Sequence, residues 1–291
     1  MVIPVFNGLH YLAQTVDSVL AQDYPNLEVV LVDGGSTDDS VAWLRTQTDP
    51  RIRIHELPQG TTAATTWTTA CERANGAFIK MMGQDDILRS DALTRQVEAL
   101  QEHAAAGMAC GLRDIIAADG SLLWRNRGLA GLKPGMNDGE AVLRGCYLQG
   151  TNVIGEPFAV LFRRANLLDA LPWSDSRPLL LDLDLYTKVL RKSSLVAEPA
   201  VIGAFRVSNA SWSTRLAAEQ RSQFRSWQAE YEGENSPIPS TKRMRASFAL
   251  LSQTGMRRGA YLWLRLRRRM DAHPLTTGNL SPWRHWSASS P

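Results

Sequence analysis

Three short stretches of this chain place carboxylates where chemistry can use them. Asp33 follows the apolar run Leu27-Glu28-Val29-Val30-Leu31-Val32 and opens the turn Gly34-Gly35-Ser36-Thr37. Gln84-Asp85-Asp86 follows the run from Ala77 to Met82, and Asp182 and Asp184 are embedded in Leu179-Leu180-Leu181-Asp182-Leu183-Asp184-Leu185-Tyr186. An aspartate at a strand end accepts an N–H from a ligand, or forms a turn or helix cap. Neighbouring aspartates suit a hard cation whose remaining ligands are waters and phosphate oxygens, since such an ion needs few protein oxygens. A carboxylate held among leucines is desolvated, its pKa rises, and it becomes a better base. Spacing alone leaves Asp182 and Asp184 as competing candidates, because one of them can instead cap the helix that carries Tyr186, Val189 and Leu190.

The elements that must position these groups alternate in kind. Val2 to Asn7 precedes a helical pattern of Leu9, Leu12, Val16, Val19 and Leu20, and Arg51-Ile52-Arg53-Ile54-His55 alternates as a strand. Strands alternating with helices predict a doubly wound, mostly parallel α/β sheet, with ligands bound at the carboxyl ends of the strands. Three such ends, at Asn7, Asp33 and Gln84, converge on one crevice. Beyond them, Ser90 reads as the N-cap of a helix carrying Leu93, Val97 and Leu100. Met108 to Ile116 and the turn Ala118-Asp119-Gly120-Ser121 read as a strand and hairpin. Residues 126 to 155, rich in Gly, Asn and Pro, read as long loops, and Phe158 to Phe162 as a strand. A polar break at Gly233-Glu234-Asn235-Ser236-Pro237 separates a helical, Arg-rich stretch from about Thr241 to Met270.

The combined string VIPVFNG, TVDSVLAQDYPNLEVVLVDGGSTDDS and ANGAFIKMMGQDDIL resembles the nucleotide-binding half of the family 2 glycosyltransferases, which have the GT-A fold. The resemblance implies an inverting transferase that moves a sugar from a nucleoside-diphosphate sugar, UDP or dTDP type, to a hydroxyl of a saccharide or lipid-linked acceptor. It implies donor contacts at Pro4, Phe6, Asn7, Asp33, Gln84, Asp85 and Arg206, with Mg²⁺ or Mn²⁺ on Asp85. The segment LDLDLY resembles the family's general-base segment, which ranks Asp182 over Asp184 as the catalytic base. This chain departs from the family where an acid commonly precedes the metal ligand, at Gly83, where a Glu precedes the base, at Leu181, and where a His often stands, at Ser208, in a segment that runs on to Ser211 and Ser213. The implied organisation is a nucleotide-sugar-binding half over residues 1–105, an acceptor-binding and catalytic-base half over 106–232, and a linker with a basic helical extension over 233–291. Gly83 also suits a catalytically inactive nucleotide-sugar-binding protein, and the tail suits a membrane-surface interaction protein.

Composition narrows the classes further. The chain has 291 residues, 44% apolar and 21% charged, as in ordinary globular proteins. Cys71, Cys110 and Cys146 lie far apart, which fits neither a disulfide framework nor a thiolate zinc site. His10, His55, His103, His273 and His285 lack zinc-binding spacing. With no run of about eighteen apolar residues and no leader-like start, the expectation is a cytoplasmic protein, peripheral at most on the inner face of a membrane. The net charge of +3 hides an asymmetry, because residues 240–291 hold ten Lys or Arg and a single acid, Asp271. The first 239 residues are left with 22 cations and 28 carboxylates. An acidic body argues against nucleic acid, and the basic segment between Arg257 and Arg269, with Trp263 and its leucines, reads as either a helix lying on an anionic membrane surface or one packed on the domain.

Overall fold

Buried strands of Val, Ile and Leu organise the N-terminal half of the computed structural model, which describes residues 1–209, 211, 214, 216, 218–234 and 238–271. β1 (Val2–Val5) pairs in parallel with β2 (Val29–Asp33), and β2 with β3 (Ile52–Glu56). Side chains alternate across this sheet, as a period of two requires. Ile3, Val5, Val29 and Leu31 join the core that α1 (Leu9–Leu20) covers, whereas Val2, Val30 and Val32 join the core on the other face, beneath α3 (Ala63–Arg73). A short α2 (Ser40–Arg45) follows the Asp33 turn. Helices on both faces make the sheet doubly wound.

A parallel bridge from Val2 to Met81 continues the sheet into the second half. There the pairing becomes mixed. β4 (Phe78–Ile79), β9 (Val160–Arg163), β6 (Ala106–Ile116), β10 (Ser194–Arg206) and β5 (Ile87–Leu88) follow in that spatial order. Only β6 and β10 run parallel, while β7 (Leu122–Arg127) and β8 (Gly135–Asn137) add antiparallel edges to β6 and β10. Parallel pairing therefore holds where strand and helix alternate, and gives way in the second half, where β6 and β7 form a hairpin and the other antiparallel pairs join strands distant in sequence.

Three expectations change. Ser90 is not the N-cap of α4 (Ala92–Glu102); Asp91 holds that position. Residues 126–155 are not all loop, for they contain β8 and α5 (Gly139–Gln149), whose N-cap Asp138 accepts from the Ala141 N–H and whose C-cap Gly150 has φ 62°. Both are standard end signals, and Val142, Leu143, Cys146 and Tyr147 form the buried stripe between them. The strand foreseen from Phe158 begins only at Val160, after a single 3₁₀ turn at Pro157–Ala159.

α6 (Arg164–Ala170) and α7 (Leu181–Leu190) complete the second half, and α8 (Gln220–Glu234) packs Phe224, Trp227 and Tyr231 into its core. α9 (Ser240–Leu266) ends the described chain as a 27-residue helix. Asn235 to Pro237 of the expected linker, Ser213, and residues 272–291 with His273 and His285 lie outside the described residues. The three cysteines are buried free thiols, and burial pushes each up to about 12. Among the described residues no helix is long and apolar enough to cross a membrane.

Candidate active site

The crevice forms where β1, β2, the 78–82 segment and β10 all end on one side. Pro4 is buried in β1 opposite Val32. Phe6 is 53% exposed at the mouth. Asn7 adopts φ 49°, in the left-handed region that asparagine tolerates. Its Oδ1 accepts from the Thr37 N–H at 2.8 Å, and its own N–H donates to Ser36 Oγ at 2.9 Å, so Asn7 clasps the two strand-end loops together. Asp33 is buried and holds the turn after β2: Oδ2 accepts from the Gly35 and Ser36 N–H groups, both at 2.9 Å, and Oδ1 from Ser36 Oγ. Gly35, at φ 86° with a would-be Cβ 2.6 Å from Gln59 Cα, is required by that turn.

Two residues expected at the donor have their polar atoms engaged by the protein. Gln84 pairs with the backbone of Phe6, its Nε2 donating to the carbonyl at 2.9 Å and its Oε1 accepting from the N–H at 2.8 Å. Arg206, at the end of β10, is buried beneath the crevice instead of projecting into it. Nε donates to the Asp85 carbonyl at 2.9 Å, NH1 to the Ala118 carbonyl at 3.1 Å, and NH2 to Gln14 Oε1 at 2.9 Å, with the guanidinium carbon 4.3 Å from the centre of the Tyr11 ring. A cation this deep must have each donor matched by an acceptor, which is why it meets carbonyls.

Asp85 and Asp86 sit directly above that arginine. Asp86 Oδ1 accepts from the Arg206 N–H at 3.1 Å, and Asp85 Oδ2 from Ser211 Oγ at 3.2 Å. Burial raises the pKa of both, and the Asp85 charge raises Asp86 further, while Arg206 offsets part of the effect. Gly83 leaves room for the pair. A Cβ at that position would stand 2.6 Å from Asp86 Oδ2 and 3.3 Å from Asp85 Oδ1. Two carboxylates raised by desolvation, Asp86 further by the charge of Asp85, and gathered around a side-chain-free position, fit a divalent cation that takes its other ligands from phosphate and water. Asp85, unlike Asp86, keeps part of its surface open. Among the described residues no set of three or more His, Cys, Asp or Glu gathers as a metal site.

The second carboxylate pair separates sharply. α7 opens with Leu181, Asp182 and Leu183, so both aspartates fall in its first turn. Asp184 is buried, and Arg177 grips both of its oxygens, Nε donating at 2.9 and 3.0 Å, while NH2 also reaches Glu230 at 2.7 Å. Asp182 accepts from the Leu183 N–H at 2.7 Å and from Asn152 Nδ2 at 2.9 Å. Desolvation pushes its carboxyl up to about 7, against those two hydrogen bonds and with a further upward push from Glu156. Glu156 also raises Asp86, so its charge is felt by both clusters. Arg113 pairs with Glu156 and packs against Gly155, whose φ of 120° only glycine adopts without strain.

Sequence reasoning left Asn152, Glu156 and Arg113 without roles. Asn152 Oδ1 also accepts from the Ile154 and Gly155 N–H groups, which makes it the pin between this loop and α7. The separation in sequence between Asn152 and Asp182 hides their contact.

Residues 1–167, more than half of the chain, match the family described as Glycosyl transferase family 2. The chain belongs to glycosyl transferase family 2. This family 2 chain is 33% identical over 125 residues to the putative teichuronic acid biosynthesis glycosyltransferase TuaG of Bacillus subtilis, an alignment covering 42% of this chain and 49% of that protein. The chain thus spans about half the length of the curated relatives it matches first. The crystal structure of S. aureus TarS 1-349 in complex with UDP-GlcNAc is similar with a TM-score of 0.60 at 16% identity, covering 86% of this chain and 70% of that one. The mannosyltransferase PcManGT from Pyrobaculum calidifontis, in complex with GDP-Man and Mn²⁺, gives a TM-score of 0.52 at 17% identity, covering 98% of this chain and 81% of that one. These likenesses establish the GT-A fold for this family 2 chain.

Proposed function

We propose that this protein is an inverting glycosyltransferase, transferring a sugar from a nucleoside-diphosphate sugar of the UDP or dTDP type to a hydroxyl of a saccharide or lipid-linked acceptor. The observation that carries this reading is Asp182, a carboxyl desolvated to about 7, without the cation that neutralises its neighbour Asp184, and within the electrostatic reach of the same Glu156 that Asp86 feels. A base with a pKa near the working pH combines an adequate ionised fraction with adequate basicity.

The chain's residues divide the work. Phe6 offers an exposed ring to the base, Asn7 and Asp33 fix the loops that frame the nucleotide, and buried Pro4 walls the pocket. Gln84 and Arg206 serve as positioning residues, holding the Phe6 and Asp85 backbones. Asp182, oriented by Asn152, takes the acceptor proton while the acceptor oxygen attacks the anomeric carbon from the face opposite the leaving diphosphate, so the anomeric centre inverts. A divalent cation held by Asp85 would neutralise the charge that develops on the departing diphosphate. The UDP-GlcNAc and the GDP-Man with Mn²⁺ bound by the two structural relatives agree with a nucleotide-sugar donor and a cation.

Thermal melts against UDP-, dTDP- and GDP-sugars, with and without Mn²⁺, test the reading. A donor at a hundred times its Kd stabilises by about 2.7 kcal/mol, so the melting point should rise by several degrees, and only with the cation present. If no nucleotide sugar raises it, or if Asp85→Ala responds as the wild type does, the reading fails.

A further inference from the structure

α9 is apolar on two opposite faces, and among the described residues only one of them is covered. Ala246, Leu250, Thr254 and Leu264 are buried against the domain. On the opposite side Met244, Phe248, Leu251, Leu262 and Leu266 succeed one another at steps that keep one line along a helix of 3.6 residues per turn. Met244 is 71% exposed, Phe248 74% and Leu266 76%. Twenty-seven residues at 1.5 Å per residue make this stripe's helix about 40 Å long. Two exposed apolar groups on one helix face, Met244, Phe248 and Leu251 towards one end and Leu262 and Leu266 towards the other, mark an interaction site.

Charge decides what covers it. The helix and the turn after it, residues 240–271, hold nine Lys or Arg and one acid, Asp271. Arg258 and Arg265 flank the stripe on one side and Arg245 and Arg267 on the other, by their angular positions, and the three outside the Arg258 contact to the Ala218 carbonyl are exposed. The same helix of a second copy, packed face to face, would set cations against cations, a juxtaposition that costs several kcal/mol. A surface that is apolar beneath and negative above suits both halves of the pattern. We infer that the outward face of α9 docks on an anionic lipid surface, its apolar stripe entering the acyl boundary and its arginines lying among the headgroups.

The helix end shows why docking there matters to the site. Leu264 packs with Val207, the residue after Arg206, and the Arg269 carbonyl accepts from the Ala118 N–H, whose own carbonyl accepts from Arg206. Arg269 also lies 4.0 Å from Asp119. The covered face of α9 and the turn after it thus adjoin Arg206, which supports Asp85, so the helix whose outer face would meet lipid is anchored beside the site by its inner face. The docking surface stands on α9 alone and does not depend on the donor assignment.

Co-sedimentation of the full chain with phosphatidylcholine vesicles, with and without phosphatidylglycerol, tests it. Binding is expected only with phosphatidylglycerol, and it falls as salt rises because the Debye length shrinks. Arg245→Gln with Arg265→Gln should weaken it by roughly twentyfold or more, near fivefold per arginine. Phe248→Ser with Leu262→Ser should abolish it, with far-UV spectrum and melting point unchanged because both residues are exposed. Equal binding to neutral vesicles, no binding at low salt, or a dimer by sedimentation that Phe248→Ser with Leu262→Ser dissolves would each overturn it. Donor-induced stabilisation measured on the same variants should stay as in the wild type; its absence in every protein, with vesicle binding intact, refutes the transferase reading and leaves this one.

Discussion

Two pairs of neighbouring aspartates meet opposite fates in this molecule. On α7 the protein supplies its own cation to one member: Arg177 holds Asp184 at both oxygens, which frees Asp182 from competition and leaves it desolvated. At the strand end, Arg206 lies beneath Asp85 and Asp86 but directs its donors at carbonyls and Gln14, so it relieves only part of the repulsion between them. Carboxylate spacing does not set the role. The direction in which the nearest guanidinium points does.

The contrast can be broken most forcefully at Arg177. Arg177→Met leaves Asp184 buried without a partner and should cost about 3–5 kcal/mol of stability, read as a lowered urea midpoint at neutral pH. A loss under about 1 kcal/mol would mean that the pair is no more than a surface bridge.

Turnover should respond to the other member. Asp182→Asn is expected to lower kcat by about a hundredfold or more while donor affinity holds, and Asp184→Asn to cost stability with kcat nearly kept. Reversal of these two outcomes exchanges their roles.

Asp85→Asn comes next in size. It should weaken Mn²⁺-dependent donor binding by at least about tenfold in calorimetry and leave Mn²⁺-independent binding unchanged. Equal Mn²⁺ dependence in both proteins would remove the cation from Asp85.

Smaller shifts sharpen the account of Asp182 itself. Asn152 donates to its charged form, so Asn152→Ala should move the activity limb to higher pH, and Glu156→Gln, which removes a repelling charge, should move it lower. Motion in the same direction would show that the loop had simply moved.

Much of the donor half was legible because its logic is local. Val29 to Asp33 is a run of residues buried on both faces, ended by a glycine turn that only one backbone conformation permits. The crevice follows from where such strands stop. The acceptor half resisted for two physical reasons. α5 is masked by the loop-like composition of its stretch, although Asp138 and Gly150 mark its ends. The partners of Asp182 and Asp184, at Asn152 and Arg177, are set by tertiary packing that no spacing encodes. Arg206 shows the same gap: the resemblance implies a donor contact, and only its burial reveals that its donors face inward.

The claim that Asp182 is a base prepared by desolvation has a direct measurement that needs neither donor nor acceptor. Carboxyl carbon resonances of the isotopically labelled protein, followed across pH, should include one with a midpoint of about 7 that vanishes in Asp182→Asn. The linked stability should agree in sign. A carboxyl raised in the folded state keeps its proton there, so stability falls as pH rises from about 4, the unfolded value, through about 7, and Asp182→Asn should flatten that fall. If every aspartate instead titrates in the ordinary carboxylate range, or if the midpoint near 7 persists in Asp182→Asn, then Asp182 is not the poised base and the account is wrong at its centre.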